Sequence, residues 1–499
     1  MRIEDAGLLS PSLVAESGHR SACYRTGVPR PESNPHVNDR SETNNRWLLN
    51  MSTVHPAARG STKTMLRRRH PRRGRILVSA YALSPVLGSE PGAGWNICSR
   101  LAAYHDVTVL TRSWTESLWP QDARHREEAE RFMTREGPFP GLTIHFVSSP
   151  PLSRLLQPHP MVSLRSPLYF QGYAAWHQAA YREAVQLHRE KPYDGVHQLT
   201  ISTFREPGYL WKLGVPFFWG PLAGGENIPL SYFADFGRHD SVYYALKNLA
   251  NNVHRWTKWR SRRAARGAER VFVSSAALFQ TIARWGGTPH MMLEVGAPNW
   301  PGRQRRYDGG RALRLCWMGL HIGRKALPIA LRSLAELKAR GFVKQVHLTI
   351  LGSGPDTRAW QALCQQLGVQ EMVTWAGQVP FHRVREELER HDALLITSLQ
   401  EGTPNVVMEA LAAGLPIVCH GVGGMSLAVD RSCGFKLPLT DRQTSIRQFT
   451  DATSRLVTSP DLLNRLSEGA LCRAKALSWD NVVREIARAY DGIPSVNAA

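Results

Sequence analysis

Between Ser398 and Gly414 the chain reads Ser398-Leu399-Gln400-Glu401-Gly402-Thr403-Pro404-Asn405-Val406-Val407-Met408-Glu409-Ala410-Leu411-Ala412-Ala413-Gly414. An apolar strand ends near Ser398, and a tight loop runs through Gly402 to Pro404, which suits a first helical position. The helix that follows carries Glu409 and stops at Gly414, a residue type that caps carboxyl ends. The amides of Thr403–Val406 then form a helix amino terminus, where unpaired N–H groups and the helix dipole favour a phosphate. Glu401 sits just before that terminus and Glu409 about one turn inside it. One carboxylate can therefore reach the sugar end of a bound nucleotide sugar, and the other its ribose. Two glutamates at this spacing are commonplace on surfaces; the strand–loop–helix setting is what gives these two a chemical reading.

The elements that must hold such a loop are legible as βα alternation. Ile76–Tyr81 reads as a buried strand, followed by a loop rich in Gly and Pro (84–94), a helix over 95–104 and a second strand at Val107–Leu110. This βαβ unit predicts a parallel sheet covered by helices. Further strands are expected at 143–147, 195–199, 216–219 and 271–274. Residues 296–312 read as a linker, and the alternation restarts with strands at 313–318, 346–351, 373–376, 393–397 and 416–419. The expected fold class is α/β: two Rossmann-like, doubly wound domains facing a cleft, with ligands at the carboxyl ends of the strands. The boundaries that follow are a basic extension over 1–73, an amino-terminal domain over 74–298, a carboxy-terminal domain over 312–475, and a last helix and tail over 476–499.

Composition narrows the classes. The chain has 499 residues, 42% hydrophobic and 21% charged, with a formal net charge of +21, which suits two or three globular domains. The first 73 residues hold 13 Lys/Arg against six Asp/Glu, lack apolar periodicity and read as disordered. Residues 1–64 carry no motif and are expected to be dispensable for catalysis. No run approaches the ~18 apolar residues of a membrane span, and no secretory signal pattern opens the chain. The seven scattered cysteines show no CxxC spacing, so reduced thiols and no structural zinc are expected. Residues 247–270 contain eight basic side chains with Trp256 and Trp259, which suits either a solvated helix or an anionic membrane surface. No zinc-finger, RNP or helix-turn-helix pattern points to nucleic acid.

The Glu401-x7-Glu409 stretch resembles the signature of the family 4 (group 1) retaining glycosyltransferases, whose fold is GT-B. Gly88-Ser89-Glu90-Pro91-Gly92-Ala93-Gly94-Trp95 resembles the amino-terminal glycine-rich loop of bacterial members, and Trp219–Glu226 and Ser478-Trp479-Asp480 resemble further segments of that group. The resemblance implies a nucleotide diphosphate sugar as donor, with Glu401 on the sugar hydroxyls and Glu409 on the ribose. It also implies donor contacts from Gly88, Gly319, Thr403, Pro404 and Asn405. After the first strand of the second domain the family usually reads Gly-Arg-x4-Lys-Gly. Here the run is Gly319-Leu320-His321-Ile322-Gly323-Arg324-Lys325-Ala326, so Lys325 stands at the lysine position and Leu320 replaces the arginine; either Arg324 substitutes from a different angle or the site manages with one cation. Asp194–Leu199 resembles the region that supplies sugar-contacting histidines, with Leu199 at the second of them; His197 is therefore either, with Glu90, an acceptor-side or sugar contact, or a hydrogen-bonded core histidine. No Asp-x-Asp motif is present, so neither a metal nor a further cofactor is expected. The implied activity is retaining transfer to a glycan or lipid-linked acceptor, expected in the cytoplasm; peripheral attachment at the inner face of the membrane is one of the two readings of the basic 247–270 segment, the other being a solvated helix. The alternatives are a nucleotide-sugar epimerase of the same fold and a basic nucleic-acid-binding protein.

Overall fold

The computed structural model describes residues 73–113, 123–156 and 169–493. The extension read as disordered lies outside them except for Arg73, whose guanidinium pairs with Asp106 at 3.3 Å. The first sheet contains β1 (Arg75–Ala80), β2 (Asp106–Arg112), β3 (Leu142–Val147), β4 (Gly195–Thr200), β5 (Phe217–Leu222), β6 (Ala268–Val273) and β7 (Pro289–Met291). Its order is β3-β2-β1-β4-β5-β6-β7. The second contains β8 (Leu313–Met318), β9 (Val346–Leu351), β10 (Val373–Gly377), β11 (Ala393–Ile396), β12 (Ile417–His420) and β13 (Gly434–Leu437), in the order β10-β9-β8-β11-β12-β13. Pairing is parallel throughout both sheets. Every residue of β4, β5, β11 and β12 is buried, as expected for strands covered on both faces. In each sheet the strand order reverses beside the first strand, between β1 and β4 and between β8 and β11. The crevices at those switch points face each other across the cleft.

Three local readings are corrected. The Gly/Pro-rich stretch assigned to a loop is mostly helix, which runs over Ser89–Leu101 from its cap at Gly88. Proline is tolerated in a first turn, where its missing N–H has no intrahelical partner. The glycines there answer to crowding, since a Cβ on Gly92 or Gly94 would overlap the carbonyl of Leu87 or Ala82. The edge strands β7 and β13 went unpredicted, being three and four residues long. The stretch read as a linker is largely a strap on the second domain: Arg305 donates to the carbonyls of Glu389 at 2.6 Å and Ala413 at 2.7 Å.

The chain crosses between domains twice at one place. Ala297 donates its N–H to Leu477 at 2.8 Å and forms a parallel bridge with Ser478. The helix Trp479–Tyr490 then returns to the first domain, burying Val483, Ile486 and Tyr490 against Ile76, Val78 and Phe218.

The basic segment resolves into the helices Arg238–Thr257 and Trp259–Arg266. Part of it is structural. Arg260 pairs with the buried Glu206 at 2.9 Å and lies over the Tyr209 ring at 4.2 Å, while Arg255 donates to the Gly225 carbonyl at 2.6 Å.

Candidate active site

The loop after β11 is stitched to the turn after β8. Thr397 donates its hydroxyl to the Lys325 carbonyl at 2.8 Å, Leu399 its N–H to the Arg324 carbonyl at 2.9 Å, and Arg324 its guanidinium to the Gln400 carbonyl at 2.9 Å. This lacing turns both cations onto Glu401, with Arg324 at 2.9 Å and Lys325 in direct contact with the same oxygen. Burial alone would push Glu401 up, but the two cations outweigh it and hold the carboxyl at about 2. Burial likewise pulls Lys325 down against the opposing pull of Glu401. Leu320 is 46% exposed and lines the same cavity as Arg324 and Lys325.

Around this cluster lies a cavity of about 530 Å³ that also takes in Glu90, Gly319, Thr403, Pro404 and Asn405. Glu90 accepts from the Ser202 N–H at 2.5 Å, and burial raises it to about 7 despite that bond. A second cavity of about 500 Å³ holds Gly88, Phe381 and Glu409, and the two share Ser89, Ala93 and Asn405. Glu409 lies in the helix Asn405–Ala412, is buried, and makes no side-chain hydrogen bond or ion pair among the described residues. Burial raises it to about 7. The cleft thus has two compartments, one with paired charges around Glu401 and one with a single unpaired carboxyl.

Two expectations are corrected. His197 does not line either cavity. It is fully buried: its Nε2–H donates to the Gly220 carbonyl at 2.6 Å and its Nδ1 accepts from the Tyr490 hydroxyl at 2.5 Å. Burial lowers it to about 4, so it is a neutral core group that ties the last helix to β5. Tyr490→Phe, which strands that nitrogen, is expected to cost about 1–3 kcal/mol of stability in thermal unfolding while leaving donor affinity unchanged. The Thr403 amide, expected to face a phosphate, instead donates to Glu294 Oε2 at 2.7 Å, and its hydroxyl bonds the same oxygen.

Glu294 is one of three functional candidates missing from the sequence reading. It comes from the first domain, and Ser274 also donates to it at 2.8 Å. Glu226, also from the first domain, accepts from the Gly423 N–H at 3.2 Å and is raised to about 7 by burial. Phe381 closes toward Gly88, where a Cβ would meet its ring at 3.3 Å. Glu294 and Phe381 have no local signature, whereas Glu226 ends the Trp219–Glu226 stretch; each is defined by a contact across the cleft.

Two facing Rossmann-like domains with this strand order make up the GT-B fold. Residues 312–459 match the family model "Glycosyl transferases group 1". A D-inositol 3-phosphate glycosyltransferase of Acidothermus cellulolyticus is 27% identical over 83% of this chain and 90% of its own length. One of Frankia alni is 30% identical over 34% of this chain, and the chain spans 44% of that relative's length. The sucrose-phosphate synthase of Thermosynechococcus elongatus has the same fold, with TM-score 0.57 and 16% identity over 84% of this chain and 98% of its own. The lipopolysaccharide outer core galactosyltransferase WaaB shares it at TM-score 0.53 and 15% identity, over 83% and 98% of the two chains. The second domain is thus similar to the group 1 glycosyltransferases, and the two domains together have the GT-B fold.

Proposed function

We propose that this enzyme transfers a sugar from a nucleotide diphosphate sugar, with retention of anomeric configuration, to a glycan or lipid-linked acceptor. The observation that carries the reading is the pair Arg324 and Lys325 converging on Glu401 beside the Gly402–Asn405 loop, with the unpaired Glu409 in the adjoining compartment. A departing diphosphate accumulates negative charge, and two fixed cations in a water-poor cleft stabilise it without reorganising. Glu401 keeps both cations in place and has acceptor capacity left for a sugar hydroxyl. Glu409 suits the ribose diol, since its carboxylate would gain the hydrogen bonds it now lacks. No carboxylate is assigned as in-line nucleophile; the acceptor hydroxyl attacks the face the diphosphate leaves, and its proton passes to the departing phosphate oxygen. Glu90, near neutrality on the first-domain side, is the acceptor-side or sugar contact. Donor binding displaces the Glu294 carboxylate from the Thr403 amide, which then serves the diphosphate. The arginine and lysine supply the charge neutralisation, with no further cofactor in the scheme. A protein of the same fold, Anabaena Alr3699/HepE, has been solved with UDP-glucose (TM-score 0.51, 14% identity), which supports a donor of this class in such a cleft.

The test is a screen of UDP-, GDP- and ADP-sugars by thermal stabilisation, followed by NMR of the product. One donor class should raise the melting temperature, because a ligand of the native state shifts unfolding by mass action. The product should keep the donor's anomeric configuration. An inverted product would overturn the same-face mechanism, and sugar conversion from donor alone would favour the epimerase.

A further inference from the structure

The helix Arg238–Thr257 has one face turned inward, with Tyr244 and Asn251 buried. Its outer face carries Val242, Leu246, Leu249, Val253 and Trp256, all exposed, with Trp256 at 74%. Their spacing alternates four and three residues, so they form a single apolar row along the helix. Trp259, exposed at the start of the next helix, extends it. A soluble domain rarely leaves so many large apolar side chains contiguous and uncovered, and such a patch marks a docking surface. Across 238–266 the sequence holds eight Lys/Arg and one acidic residue, Asp240, which accepts the Gly323 N–H at 3.3 Å.

We infer that this row seats the enzyme on an anionic lipid bilayer, with the tryptophans and the basic side chains at its carboxyl end lying at the headgroup level. Charge selects the occupant. A second copy docking through the same row would bring the exposed Arg238, Arg263 and Arg266 against like charges, whereas an anionic surface complements them. An apolar stripe flanked by Lys and Arg with tryptophan at its border is the composition of a helix lying in an interface. The inner side of this helix touches the donor loop: Lys247 donates to Gln400 Oε1 at 2.7 Å. The surface therefore lies one helix thickness from the proposed site. The inference rests on the proposed transfer only for its meaning to the acceptor; the docking itself is read without turnover.

The experiment is flotation of the full chain with vesicles of phosphatidylcholine alone, or of phosphatidylcholine and phosphatidylglycerol in equal parts, at rising salt. The protein should float with the anionic vesicles and be released as salt rises. The variant Leu246→Ser/Leu249→Ser/Trp256→Ser/Trp259→Ser changes only exposed side chains. It should keep its far-UV circular dichroism and bind about tenfold or more weakly at low salt. Arg238→Gln/Lys258→Gln/Arg263→Gln should bind less and with a flatter salt dependence. The inference is overturned if the wild type stays unbound at low salt, if the apolar-row variant floats like the wild type, or if neutral vesicles bind as well as anionic ones. A dimer lost in the apolar-row variant without any vesicle binding would assign the row to a second copy instead.

Discussion

Lys325→Ala should lower turnover about a thousandfold and leave the protein folded. The ammonium lines the cavity in contact with Glu401, where burial opposes its charge and the carboxylate favours it. Removing one preorganised charge from a developing anion typically costs a hundred- to a thousandfold in kcat. The fold should survive because Glu401 keeps Arg324 at 2.9 Å, so no buried charge is left alone. Glu401→Gln is the contrasting change. It leaves two cations beside each other without their counter-charge, and breaking such a buried pair costs about 3–5 kcal/mol. Thermal unfolding and kcat at saturating donor should separate the two variants, the lysine change falling on rate and the glutamate change on both. With Glu401 held at about 2, the cluster's stabilising contribution should persist above the ordinary carboxylate range and fade only as pH falls from about 4.5 toward 2. Near-normal turnover in a folded Lys325→Ala protein would remove the lysine from the chemistry.

Glu409→Gln should weaken donor binding at least about tenfold and, at the same time, make the ligand-free protein more stable at alkaline pH. The sign follows from linkage. Burial raises Glu409 from 4.5 to about 7, so the folded state holds a proton that the unfolded chain has released between those values. Stability contributed by that proton is present below the unfolded value and is lost as pH rises through about 7. At pH 8 the ionised, unpartnered carboxylate costs on the order of 3 kcal/mol, which the amide avoids. Melting curves should therefore separate wild type and variant at pH 8 and converge near pH 4, with donor affinity measured alongside. A variant less stable than the wild type at pH 8 would show that Glu409 has a structural partner after all. Unchanged donor affinity would remove it from the ribose.

The sequence reveals what is local. Runs such as Ile76–Ala80 and Ala393–Ile396 announce buried parallel strands, and the Glu401–Glu409 stretch contains its own strand end, loop, helix start and stop. That Leu320 stands where the family has arginine is also visible as a letter, but only the lacing of Thr397, Leu399 and Gln400 to the turn brings Arg324 onto Glu401. What escapes is set by distance along the chain. Glu294 reaches Thr403 from 109 residues away, and Glu226 reaches Gly423 from 197. His197 admits both a sugar contact and a core histidine from the sequence, and a tyrosine 293 residues later decides for the core. The apolar row from Val242 to Trp256 is legible as a helical period, but the reading of 247–270 rests on charge and tryptophan and takes in only the carboxyl part of the row. Glycine and proline in Gly88–Gly94 suggest a loop by composition, while packing against Leu87 and Ala82 is what demands them in a helix.

The bridge between Ala297 and Ser478 places both interdomain passages of the backbone side by side. Such a pairing acts as the spine of a book: any opening of the cleft would swing about this one line. A single protease nick at Pro298–Asn299 would not part the halves, because the second passage would still bind them. Labels beside the spine would report almost no change in separation on ligand binding. Labels on the outer lips of the cleft would report nearly all of it.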